Sequence, residues 1–355
     1  MTLKVIEVLQ DDKRISSIDL FRGIAICSVV IFHFGYFSYG YLGVDLFFVI
    51  SGLLIGGLLL KEFETNDRIN FFKFFLSRGF KIWPSYYFFL IVGNLICPLL
   101  YSNTHSDQII RLWDIKRYVF FYQNYTGPPF HYSFDIVWSL CVEEHFYILL
   151  PLMFLFVQSV FRKTNQRTWL LIFIIIVIIM GTVFKFLSLY FTQSKDTFSG
   201  THNRIDALGW GVLLSFILKY YNAVIKGLKN TYAYSIIGCV CIVILVVLNI
   251  TSQNPIYTKI LFHALIPIAL VMVIFGVYYY DFSKYKPIRI IAYYSYNWYL
   301  WHCIFCYFIY DSIGKNFSGL IVYLVITFII AVLFTTVIEE KALAVRPVVL
   351  RRFFN

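Results

Sequence analysis

Charge is what this sequence has least of. Asp, Glu, Lys and Arg make up 14% of its 355 residues, against about 25% in a soluble protein. Hydrophobic residues make up 60%, mean hydropathy is +0.74, and the apolar residues fall in long runs, which excludes a soluble globular domain. Acidic side chains are scarcer still, 19 against 30 Lys and Arg, for a net charge of +11. In a membrane protein such an excess gathers in the cytoplasmic loops, so no nucleic-acid partner is expected. There are seven cysteines, most of them inside apolar runs. Cys303-x-x-Cys306 has no second pair to complete a zinc site and reads as small core residues; no metal is expected. There is no small-residue cleavage site behind the first apolar run, no linker and no internal repeat. The expectation is a single integral-membrane domain over 1–355, without a cleavable leader or a fused soluble domain.

What the sequence does have is ten apolar segments, roughly 18–36, 41–60, 82–101, 136–158, 169–191, 203–221, 232–250, 259–280, 288–310 and 317–338. Each is close to the ~20 residues that a bilayer crossing requires. The fold class expected is therefore all-α, a polytopic transmembrane helix bundle of about ten spans. Counting from Lys4, Lys13 and Arg14 onward, 21 of the 30 Lys and Arg fall on one side of such a chain, which predicts that both termini are cytoplasmic. The longest outer connection carries the aromatic stretch Tyr118–Tyr125, which suits the headgroup level. Pro128-Pro129 ends any helix before the fourth span.

Within the first span, Arg22 and His33 stand eleven positions apart. On an α-helix that is three turns plus about 20°, so both share one face, about 16 Å apart along the axis. Ionisable groups at membrane depth face a cavity or one another. Threading the other spans through the same topology brings Asp45, Glu143 or Glu144, His202, Arg204, Asp206 and His302 to the outer half with His33. Arg22 lies towards the inner face, together with Arg78 and Lys81 from the loop entering the third span. The economical arrangement is one polar passage, basic at the inner mouth and lined by His and carboxylates outside. The inner mouth suits a polyanionic cytosolic donor. A histidine in the outer half can take a proton from an attacking hydroxyl, or carry a transferred group itself. Glu143 and Glu144 are 100° apart on a helix, so one of them faces the passage. His302 reads as a packed or hydrogen-bonded histidine, and His105, His131 and His263 carry no case.

Six blocks in order complete the pattern. Arg22-x10-His33 is followed by Gly43-Val-Asp45-Leu-Phe-Phe-Val-Ile-Ser51-Gly52, then Arg78-x-x-Lys81-Ile-Trp-Pro84 and Ser139-Leu-Cys-Val-Glu143-Glu144-His145-Phe-Tyr147. Thr201-His202-x-Arg204-x-Asp206 and Ser295-Tyr296-x-x-Tyr299-Leu-Trp-His302 close the series. In these blocks the chain resembles the family 3 membrane acyltransferases of bacteria over nearly its full length. It departs from their pattern at Ser77, where an arginine pair usually begins, at Lys81, which stands for a further arginine, and at His145, where Gln is usual. The resemblance implies an O-acyltransferase, by default an O-acetyltransferase, of the bacterial inner (cytoplasmic) membrane, with acyl-coenzyme A (acetyl-CoA) as co-substrate. His33, Glu143 and Glu144 become the candidate catalytic residues. Arg22, Arg78 and Lys81 are the candidate donor-binding residues; Asp45, His202, Arg204 and Asp206 are candidates for contact with the acceptor. The acceptor expected is a hydroxyl of a cell-surface polysaccharide or glycolipid, the partners being membrane lipid and polysaccharide-synthesis machinery. The residues alone also fit a proton-coupled transporter or lipid-linked-sugar flippase, against which the missing repeat counts, or a non-enzymatic member of an export complex.

Overall fold

The computed structural model describes residues 15–354 apart from 66–67, 102–109, 111–113, 127–131, 192–197 and 229. Lys4, Lys13, Arg14, His105, Pro128, Pro129 and His131 lie outside the described residues. The described residues form helices and turns with no strand. In chain order the long helices are α1 (Ser16–His33), α2 (Leu42–Thr65), α3 (Phe71–Tyr101), α4 (Trp138–Val160), α5 (Gln166–Phe191), α6 (Ile205–Tyr220), α7 (Tyr232–Thr251), α8 (Phe262–Val277), α9 (Lys286–Ile313), α10 (Phe317–Phe334) and α11 (Glu340–Phe354). π-helical turns at Tyr257–Leu261 and Thr335–Glu339 lead into α8 and join α10 to α11.

This is a multi-pass membrane protein. Among the described residues, eight helices are long and apolar enough to cross a bilayer. The other two expected spans are α6 and α9. α6 has 16 residues, short of the ~20 needed to cross unaided. α9 is long but rich in Tyr, Trp, Asn and Ser, and most of its middle is buried against other helices. Both are enclosed by the protein, where side chains rather than lipid decide composition.

The third helix begins at Phe71, eleven residues before the expected start at 82. No proline separates Phe71 from the apolar run, and the helix passes through Gly79. Arg78 and Lys81 thus stand on α3 itself, three residues apart on one face, and not on an entering loop. At the other end, the basic residues after the tenth span are helical in α11.

α1 lies in the middle of the bundle, against α2, α8 and α9. α2 and α6 approach closely because glycines remove side chains from both surfaces. A Cβ on Gly52 would fall 2.0 Å from the Leu208 carbonyl oxygen, and one on Gly211 would fall 2.1 Å from that of Val49. Small residues at such crossings are how helices associate where water supplies no driving force. The Tyr118–Tyr125 stretch is packed onto the protein. The Tyr86 and Tyr87 hydroxyls donate to the carbonyls of Tyr118 and Val119, and Asn124 donates to Thr201 and to the Ser199 carbonyl.

Candidate active site

The Arg22/His33 face of α1 is turned onto α9. Arg22 donates to Ser295 Oγ at 3.1 Å, and His33 Nδ1 lies 3.1 Å from His302 Nε2. Ser295 and His302 are seven residues apart, two turns, so one stripe of α9 meets one stripe of α1. Ser295 gives its own proton to the Ala292 carbonyl and so accepts from the arginine. Asp19, at the start of α1, pairs with Arg289 of α9. Nδ1 of His33 also lies 2.9 Å from the Val29 carbonyl oxygen.

Beside this contact runs a cavity of about 170 Å³ enclosed by α1, α2, α3, α4 and α9. Its polar lining is Arg22, Ser51, Arg78, Lys81, Ser139, Glu143, Tyr147, Ser295, Tyr296 and Tyr299. On α2 the lining runs from Val44 to Ile55, about 16 Å of helix, the same rise that separates Arg22 from His33. Tyr299, one turn before His302, is among the lining residues; their rings are 5.7 Å apart.

Glu143 is the member of the acidic pair that faces this cavity. Tyr147, one turn on, donates to it at 3.0 Å, and Ser51 of α2 lies 3.0 Å from the Tyr147 hydroxyl. Tyr147 has one proton and gives it to the carboxylate, so Ser51 donates in turn. Glu144 points the other way and accepts from Trp83 Nε1 of α3 at 3.2 Å. Of the basic residues, Lys81 is ion-paired with the buried Glu339, which also accepts from Asn297 at 2.8 Å. Arg78 makes no ion pair among the described residues and leans on the Phe74 ring.

The structure brings Arg22, Arg78, Lys81 and Glu143 together in one cavity; His33 and His302 meet each other and do not line it, His302 touching the lining Tyr299. It gathers Asp45, Arg204 and Asp206 elsewhere. Arg204 donates to Asp45 at 2.7 Å, and Lys185 pairs with Asp206. All four are buried, and none lines the cavity. The Arg204 guanidinium also sits over the Phe198, Phe48 and Trp138 rings. His202 stacks on the exposed Tyr125 and contacts Ser188, while His145 contacts Thr201 Oγ1 at 2.7 Å. Sequence reasoning missed three partners. Glu339 lies past the motif blocks, and Lys185 sits in a strongly apolar helix with no motif around it. His302 was legible as a residue, but its place against His33 is a tertiary contact with no signal in spacing.

The model of the acyltransferase domain of family 3 matches residues 15–339. The chain belongs to this acyltransferase family. It is similar to O-acetyltransferase OatA of Staphylococcus aureus (strain NCTC 8325 / PS 47), 28% identical over 226 residues, 60% of this chain and 36% of that protein. Putative O-acetyltransferases SACOL0978 (strain COL) and SAS0844 (strain MSSA476) of the same species are each 29% identical, over 66% and 65% of this chain and 40% and 39% of theirs. The match thus spans less than half the length of these curated relatives. No solved structure matches.

Proposed function

We propose that this protein is a membrane O-acetyltransferase of the bacterial cytoplasmic membrane. It takes an acyl group from acyl-coenzyme A on the cytosolic side and places it on a hydroxyl of a cell-surface polysaccharide or glycolipid. Ten spans with both termini cytoplasmic are part of this reading. The observation that carries it is the Arg22/His33 stripe facing α9 alongside a cavity whose basic lining is Arg22, Arg78 and Lys81. The printed names of the relatives support O-acetyl transfer as the reaction.

The basic groups fit a polyanionic donor. Arg78, without a carboxylate partner among the described residues, offers a planar fork of donors to phosphate. Lys81 already neutralises Glu339 and adds less. Acyl-coenzyme A would supply the activated acyl carbonyl. His33 Nδ1 is occupied by Val29 and His302, which leaves Nε2 for the reaction. As the acceptor oxygen bonds to the acyl carbon and the carbon–sulfur bond breaks, His33 Nε2 takes the hydroxyl proton and then passes it to the departing thiolate. A route in which Nε2 first carries the acyl group uses the same atom. Glu143, hydrogen-bonded to Tyr147, shares the cavity lining with Arg22 and Arg78.

The test is reconstitution. Purified protein in vesicles, given acetyl-labelled coenzyme A outside and a surface glycan within, should label the glycan only when protein and donor are both present. Unlabelled glycan together with movement of intact glycan across the bilayer would favour the transporter reading instead.

A further inference from the structure

We propose that His302 is the positioning residue for His33: it holds the ring in the tautomer with the proton on Nδ1 and accepts the hydrogen bond from that nitrogen as positive charge develops on His33 during transfer. This rests on His33 being the reacting base or acyl carrier.

The assignment follows from counting protons. His302 is fully buried. Its Nδ1 lies 2.6 Å from the Tyr299 carbonyl oxygen and 3.1 Å from that of Trp298. Carbonyl oxygens only accept, so His302 carries its proton on Nδ1 and, when neutral, presents a lone pair at Nε2. That lone pair points at His33 Nδ1, 3.1 Å away. The Val29 carbonyl, 2.9 Å from the same nitrogen, is a second acceptor. Two acceptors converge on His33 Nδ1, so this nitrogen bears the hydrogen and Nε2 is left as the base. The order is that of a catalytic triad with a neutral imidazole in place of the carboxylate. When His33 gains a proton or an acyl group on Nε2, its Nδ1–H remains, and its hydrogen bond to His302 becomes charge-assisted.

The neighbourhood is built to fix the geometry. Cys306 Sγ and the Tyr310 hydroxyl donate to the His33 carbonyl oxygen at 3.3 and 3.1 Å. Residues 302, 306 and 310 are four apart, so one face of α9 grips both the ring and the peptide of the last residue of α1. This gives the otherwise orphaned carbonyl at the helix end its partners. Cys303 Sγ, 3.4 Å from His302 Nε2, adds a weak donor to the same group. His33, His302 and Cys303 have ligand atoms within 4.8 Å of one another, a spacing that a metal ion can bridge. The Val29 contact argues against that use, because a metal-bound Nδ1 has no hydrogen to give a carbonyl.

The test uses the full chain in nanodiscs with 15N-labelled histidine. Ring-nitrogen shifts, assigned by loss of signals in His33→Gln and His302→Gln, should show both histidines protonated at Nδ1 and bare at Nε2. In transfer assays His302→Phe, which keeps the volume but not the acceptor, should lower kcat about 100-fold. KM for acetyl-coenzyme A should stay within about twofold. His302→Gln, whose side-chain oxygen can stand where Nε2 stood, should regain most of the rate. A proton found on His302 Nε2, wild-type kcat in His302→Phe, or stoichiometric zinc whose removal abolishes activity would each overturn the proposal. The spectra need no turnover. If they match while transfer proves independent of His33, the catalytic role of His33 falls and the pairing of the two rings stands.

Discussion

Tyr147 donates a 3.0 Å hydrogen bond to Glu143 across one turn of α4. The bond ties the carboxylate that faces the cavity to α2, because Ser51 reaches the same hydroxyl. Its neighbour Glu144 is turned away from the cavity and accepts from Trp83. Adjacent residues of one helix thus serve different contacts, and their substitutions should separate.

Glu143→Gln should lower the rate of acyl transfer by roughly 10- to 100-fold, the lower range for a positioned acid–base or charge-balancing group. Tyr147→Phe should lower it less, since the carboxylate survives but loses a donor. Glu144→Gln should affect the rate less than either. Initial rates with labelled acetyl donor at matched protein levels decide the order.

Arg78→Ala should raise KM for the acyl donor more than it lowers kcat, the pattern for loss of binding shared by ground and transition states. Lys81→Ala should differ in kind. Its main effect should be on stability, because the buried Glu339 loses its cation and an uncompensated buried charge is costly. Donor titration and thermal unfolding of both variants separate the two outcomes.

Arg204 and Asp45 form a buried pair that does not line the cavity. Removing one partner, as in Asp45→Asn or Arg204→Met, should destabilise the bundle by about 3–5 kcal/mol. The double variant Asp45→Leu, Arg204→Met should recover much of that loss. Unfolding curves in detergent provide the measurement. A normal unfolding curve with a selective rise in acceptor KM would instead place the pair at the acceptor.

Gly52→Leu should also destabilise, because the Leu208 backbone already occupies the space. Forcing α2 and α6 apart in a packed interface costs about 1–3 kcal/mol or more. The same assay reads it out, and Gly57→Leu, where no atom lies within 4 Å of an added Cβ, is the control.

The helices were legible because the bilayer imposes a length and a polarity that apolar runs display directly. The common face of Arg22 and His33 was legible because helical geometry is fixed by spacing alone. The start of α3 was not, since the amphipathic Phe71–Trp83 stretch lacks the hydropathy that marks a span. The grouping of charges was only half legible. Spacing tells that Asp45, Arg204 and Asp206 stand in membrane helices, but their pairing depends on how α2, α5 and α6 pack. Lys185 shows why: one lysine in an apolar helix carries no local sign of the aspartate it meets.

The most direct test of the central claim is acyl transfer by His33→Ala, assayed beside the wild type in the same vesicles with equal amounts of folded protein. Transfer should fall by about three orders of magnitude or more, as for removal of a base that acts at the reacting atoms, with donor binding retained. Undiminished transfer of label to the acceptor would contradict it.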